Sequence, residues 1–227
     1  MKYINAKVLK SIWPVCFGYI PLGLACGVLA EKVGVDPIAI GVMSILVFAG
    51  SGQFIALAMI GAGCPIPPIV FTIFIVNLRH IFYATILNSY IKEKSTIFKA
   101  LFAQEIVDET SAVNMTNFEQ KDVEWSAEEA ITSAYLAHLS WIIATIAGCV
   151  LGSVANIDTA LVSYALIAMF IGLWSFHFWH KKLILAGIAA GFLALLLAPF
   201  LSNMLNVVVA TLVVSVLAAM IGGELDE

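Results

Sequence analysis

The chain has 227 residues, of which 62% are hydrophobic and only 11% are Asp, Glu, Lys or Arg, where soluble domains carry about 45–50% and about 25%. A mean hydropathy of +1.01 in 24.4 kDa leaves more apolar surface than a water-soluble globule of this size can hide, so the class is membrane-integral. The net charge of −4 comes from scattered charges without a basic stripe, which excludes a nucleic-acid surface, and the four cysteines (Cys16, Cys26, Cys64, Cys149) lack CxxC spacing and read as buried free thiols rather than metal ligands.

Because a spanning helix needs ~20 mostly apolar residues, the apolar runs at 11–30, 38–62, 66–91, 130–154, 158–179, 182–201 and 203–222 predict an all-α protein of about seven transmembrane helices in one membrane domain covering 1–227. Lys2, Lys7 and Lys10 precede the first run, as in a signal peptide, but Gly23 stands where a lipoprotein box before Cys26 wants Leu. The first run is therefore expected to stay as a helix, kinked at Pro14 and Pro21. Gly23-x-x-x-Gly27, and later Gly148-x-x-x-Gly152, are small-residue faces suited to close helix contact, within the chain or with a partner.

The second run contains Ala49-Gly50-Ser51-Gly52-Gln53. Two glycines around a serine weaken a helix. They either break it, exposing amides and a positive helix end to a carboxylate at mid-membrane, or they allow tight packing. The third run carries Arg79, 12 residues from each end of 67–91, or ~18 Å at about 1.5 Å per residue. A cation so deep costs at least ~2.5–3.5 kcal/mol and must be paired, by an intramembrane acid or by a substrate or coupling ion. Asn77 and His80 adjoin it.

Residues 96–115 read as one amphipathic or partly buried helix, with Glu105, Asp108 and Glu109 at i, i+3 and i+4 on one face. Three carboxylates so close cannot all ionise cheaply in low dielectric, which suits a proton carrier; the alternative is a solvated acidic face. The polar stretch Asn117–Glu129 then divides the chain into halves, 11–115 and 130–222. Val28-Leu29-Ala30 with Val35-Asp36 matches Val150-Leu151-Gly152 with Ile157-Asp158, and Phe48-Ala49-Gly50 matches Phe170-Ile171-Gly172, all at an offset of 122. Such an internal duplication is a habit of secondary transporters. Lys2, Lys7 and Lys10 place the N-terminus inside by the positive-inside rule, yet three spans would put Lys92, Lys94 and Lys99 outside, so an early segment is re-entrant or broken, or the rule is violated locally. Trp174, His177, Trp179 and His180 read as an interfacial belt, and His138 and Trp141 lie near a helix start.

Ser51 and His80 on separate runs raise an intramembrane serine protease, but Ala49 replaces the first glycine that such a motif wants. Pro21-Leu22-Gly23-Leu24-Ala25-x-Gly27, Met43-Ser44-x-Leu46-Val47-Phe48-Ala49-Gly50-Ser51-x-Gln53-Phe54 and Val76-Asn77-Leu78-Arg79-His80 resemble the azaleucine-resistance family, AzlC. Asp108-Glu109 and Phe170-Ile171-Gly172 fit its later segments, so that the resemblance covers nearly the whole chain. Gly52 stands where many relatives carry Ala. The resemblance implies a non-enzymatic large subunit of a branched-chain amino acid exporter in the bacterial inner (plasma) membrane, working with a small AzlD-like subunit and without cofactor. Arg79, Asn77, Ser51, Gln53 and Gly50 would then meet the substrate, and Asp108, Glu109, Glu105 and His80 the coupling proton. The chain has no Gly-x4-Gly-Lys-Ser/Thr loop, so energy comes from an ion gradient or, in the competing reading as a permease of an ATP-driven transporter, from another chain.

Overall fold

A computed structural model describes residues 3–120, 124–154, 164, 171, 181–201 and 205–223. Helix α1 spans Ala6–Lys32; α2, Pro37–Leu46; α3, Gly50–Gly61; α4, Ile66–Asn77; α5, Arg79–Asn88; α6, Thr96–Gln104; α7, Asp108–Glu119; α8, Ala127–Val154; α9, Lys181–Leu197; and α10, Leu205–Gly223. No strand occurs among the described residues. Among the described residues, three stretches are long and apolar enough to cross a membrane unaided: α1, α8 and the near-continuous Ile66–Asn88. The protein is a multi-pass helical membrane protein.

Local chemistry sets the boundaries. Asn5 caps α1 by accepting from the Val8 amide. Asp36 accepts from the Ile38 and Ala39 amides at 2.8 Å, and Pro37 supplies a first helical residue that needs no hydrogen-bond partner. Gly34 takes φ +83° just past α1, the left-handed turn that lets the Val35 amide reach back to the Ala30 carbonyl. The helix runs uninterrupted through Pro14 and Pro21.

The centre of the molecule is the α1–α8 pair. Their small-residue faces meet each other: a Cβ on Gly27 would run into the backbone at Thr145, and one on Gly148 into the Leu24 backbone. Both GxxxG motifs are thus consumed inside the chain, and neither is left to hold a partner. Around this pair, α2 packs on α8, α3 on α1 and α4, and α7 on α1, α5 and α8, while α9 pairs with α10.

Two of the runs are broken, the first as one of the two readings of its glycines allows and the second against the expectation of one continuous helix. The 38–62 run is interrupted at Val47–Ala49, so the glycines begin α3 rather than lying in the gap. The 96–115 helix is interrupted at Glu105–Val107. There the Thr110 hydroxyl accepts from the Val107 amide at 2.9 Å and donates to the Glu105 carbonyl at 2.9 Å, doing with a side chain what a continuing helix would do with backbone. At 9 to 12 residues each, and ~1.5 Å per residue, the four half-helices are each too short to cross ~30 Å of hydrocarbon. The 158–179 run, including the aromatic belt and Phe170-Ile171-Gly172, lies outside the described residues apart from Tyr164 and Ile171.

Candidate functional site

Both breaks open onto Arg79. Leu78 joins α4 to α5, placing the guanidinium between the first turns of α3 and α7. Its Nη1 lies 2.8 Å from Asp108 Oδ2, and its Nη2 donates to Ser51 Oγ at 2.6 Å. One arginine therefore bridges two helix starts. No side chain caps the start of α3, so its leading amides are left with the positive end of the helix dipole facing the site. Asp108 and Glu109 occupy the first turn of α7, where that dipole favours negative charge.

The pairing is incomplete. Arg79 Nε and Asp108 Oδ1 are buried with no hydrogen-bond partner, as is Asn77 Oδ1. A guanidinium offers five N–H donors and a carboxylate about four acceptor positions, so the pair holds spare capacity on both sides. Beside it Glu109 Oε2 accepts from the Tyr19 hydroxyl at 2.9 Å. Leu22, Phe48, Val107 and Trp141 supply the apolar wall, and Gly50 and His80 complete the lining. The free space between these groups is narrow, enough for about one water molecule.

Behind it runs a buried polar chain. Trp141 Nε1 donates to Gln53 Oε1 at 2.6 Å, Gln53 Nε2 donates to Ser44 Oγ at 2.9 Å, and Ser44 Oγ pairs with Thr145 Oγ1 at 2.9 Å. Tyr19 sets its ring edge-on against Trp141 at 5.3 Å and Phe48 at 6.1 Å.

The structure therefore sorts the residues that the sequence singled out. Gly50, Ser51, Arg79, His80, Asp108 and Glu109 meet at the cavity. Asn77 lies on its flank with His80, lining a second cavity beside Phe48, Ala49 and Gln104. Gln53 is 0% exposed, and its amide is engaged in tying α3 to α2 and α8, away from the cavity. The one-face acidic cluster does not form. Because the helix breaks at 105–107, Glu105 ends α6 and turns to His138 Nδ1 at 2.8 Å, while Asp108 and Glu109 begin α7 and turn to Arg79 and Tyr19. Ser51 faces a guanidinium rather than a base, so a serine-hydrolase pairing is absent here. Among the described residues no group of His, Cys, Asp and Glu is arranged to hold a metal ion. Tyr19, Ser44, Thr145 and Trp141 were not singled out as site residues by the sequence reading, although each is a polar or amphipathic group within an apolar run, which is a signal in itself.

The family model described as AzlC protein matches residues 14–155, which holds every site residue above and ends with α8. The family model's match ends before Phe170-Ile171-Gly172. The chain is 30% identical over 145 residues to the inner membrane protein YgaZ of Escherichia coli, covering 63% of this chain and 59% of that protein. It is 28% identical over 162 residues to the branched-chain amino acid transport protein AzlC of Bacillus subtilis, covering 70% and 61%. An uncharacterized membrane protein of Archaeoglobus fulgidus is 30% identical over 168 residues, covering 73% and 72%. The chain spans about three fifths of the length of the first and second of these relatives. No solved structure matches.

Proposed function

Since this chain belongs to the AzlC family, we propose that it is a transporter subunit that exports branched-chain amino acids, with Arg79 as the clamp for the substrate carboxylate. The observation that carries this reading is the Arg79–Asp108–Ser51 bridge between two broken-helix starts, with a donor and an acceptor left over. A zwitterion brings one anion and one cation. Its carboxylate replaces Asp108 on the guanidinium fork, which matches a carboxylate bidentately. Its ammonium meets Asp108 and Glu109. Leu22, Phe48, Val107 and Trp141 take the aliphatic side chain.

The narrow cavity, too small for an amino acid as it stands, fits alternating access, in which substrate entry separates α3 from α7. Asp108 and Glu109 carry the exchanged proton, His80 and Asn77 line the way in, and Gln53 holds α3 in position. The B. subtilis relative's name supports the substrate class, and the family resemblance supports a small AzlD-like partner. We also read 11–115 and 130–222 as repeat halves: α1 shifted by the 122-residue offset falls on 128–154, and α8 is Ala127–Val154.

Competition binding tests the clamp. Labelled leucine bound to the purified two-subunit complex should be displaced by valine, and at least about tenfold more weakly by leucinamide, which lacks the carboxylate charge. Leucinamide competing as well as leucine would sink the clamp.

A further inference from the structure

One imidazole ties the two helix breaks together. His138, 6% exposed, stands on α8 between them. Its Nδ1 lies 2.8 Å from Oε2 of Glu105, at the end of α6. Its Nε2 lies 2.9 Å from the Ser44 carbonyl, in the last turn of α2. Phe48, inside the first break, stacks on the ring with centroids 4.2 Å apart and planes at 14°.

A carbonyl has no proton to give, so Nε2 must carry a hydrogen. A second proton sits between Nδ1 and Oε2, and with it both ties hold, whichever of the two atoms it rests on. When it leaves, a neutral imidazole has one N–H for two acceptors. If that hydrogen stays on Nε2, the bare Nδ1 lone pair faces a carboxylate. If it moves to Nδ1, the Ser44 carbonyl loses its donor. Either way one of the two joints is released.

We infer that Glu105 and His138 form a proton-held latch that keeps both broken helices closed over the Arg79 cavity, and that loss of the shared proton frees one of them. Its part in transport rests on the function proposed above, but the latch itself does not require leucine to be the substrate. Of the charged and titratable groups around it, His80 of α5 lines the cavity beside Phe48 and Ala49. Tyr135 on α8 lies in the field of Glu105, and Tyr19 of α1 packs on Phe48 and bonds Glu109. Asp108 of α7 is held by Arg79, Lys99 of α6 donates to the Lys92 carbonyl, and α2 has no titratable side chain.

The test follows the opening of the break directly. In the complex, with Cys16, Cys26, Cys64 and Cys149 replaced, maleimide labelling of Ala49→Cys is compared at each pH with that of the exposed Lys92→Cys, which cancels the thiol's own titration. Between about pH 5 and 8 the ratio should rise at least about tenfold, the worth of one charge-assisted hydrogen bond. In Glu105→Gln the carboxamide pairs with Nδ1 in either state, donating to the bare nitrogen or accepting from its N–H, so the ratio should stay low and flat. A flat ratio without that substitution, or an unchanged step in Glu105→Gln, overturns the latch. Should Glu105→Gln fail to fold, the imidazole nitrogen resonances of His138 and the carboxyl carbon resonance of Glu105 decide: loss of one proton from the pair across the step, from Nδ1 or from the carboxyl, supports the latch, and unchanged protonation of both groups overturns it. A chain that opens with pH yet binds no leucine would refute the transport reading and leave the latch standing.

Discussion

Changing Arg79 to glutamine strands Asp108, and the size of the effect follows from what surrounds the pair. Removing one partner of a fully buried ion pair costs ~3–5 kcal/mol. Here the side chains are 36% and 23% exposed, and the lost Ser51 hydroxyl bond is partly replaced by the amide. Partial exposure cuts the penalty by about half, to about 2 kcal/mol. For a domain of this size that is a fall of about 4–8 °C in Tm. Because the cost is a carboxylate left alone, adding Asp108→Asn should restore most of it. Arg79→Lys behaves differently. It keeps the charge beside Asp108 and so should hold Tm near that of the unaltered protein, but an ammonium cannot grip a carboxylate with two parallel bonds. Leucine binding should drop at least about tenfold. Thermal unfolding and leucine binding are measured on Arg79→Gln, Arg79→Lys and the double variant in the purified complex. A double variant no more stable than Arg79→Gln would refute the pairing argument, and Arg79→Lys binding leucine as tightly as the unaltered protein would refute the clamp.

Other outcomes follow from the same geometry. Asp108→Asn or Glu109→Gln should abolish accumulation driven by a pH gradient while leucine–leucine exchange partly survives; if both still respond to the gradient in liposomes, these acids do not couple. Gly148→Ala must push α8 away from the Leu24 backbone and should cost about 1–3 kcal/mol, whereas Gly18→Ala, with nothing within 4 Å of the new methyl, should leave Tm unchanged or raised. Equal Tm changes for the two glycines would show that the α1–α8 contact is not as close as described. Gln53→Ala should destabilise by about 1–3 kcal/mol because it strands the buried Trp141 Nε1, and a variant as stable as the unaltered protein would remove the polar chain from the account.

The first break was legible because its cause is local: Gly50-Ser51-Gly52 in an apolar run weakens any helix. The cluster at Arg79 was legible for a related reason, since a cation at mid-span needs a partner and Asp108 was a candidate. The second break was not. Glu105-Ile106-Val107 contains neither glycine nor proline and keeps helical periodicity. What ends α6 there is Thr110 turning its hydroxyl onto the backbone and His138, 33 residues away, holding Glu105. A pattern at helical spacing cannot report a contact at that separation, and so three acids that look like one face divide between two tasks. The GxxxG motifs were recognisable as contact faces, but only the packed structure shows that each is the other's partner.

Flux under a controlled gradient tests the central claim most directly. The chain, reconstituted with the proposed AzlD-like subunit in liposomes holding labelled leucine or valine, should drive substrate across the membrane when a pH gradient is imposed, stop when the gradient is collapsed, and do little without that subunit. Arg79→Lys in the same liposomes should be inactive. Leucine movement indifferent to the gradient, or unchanged in Arg79→Lys, would contradict the account.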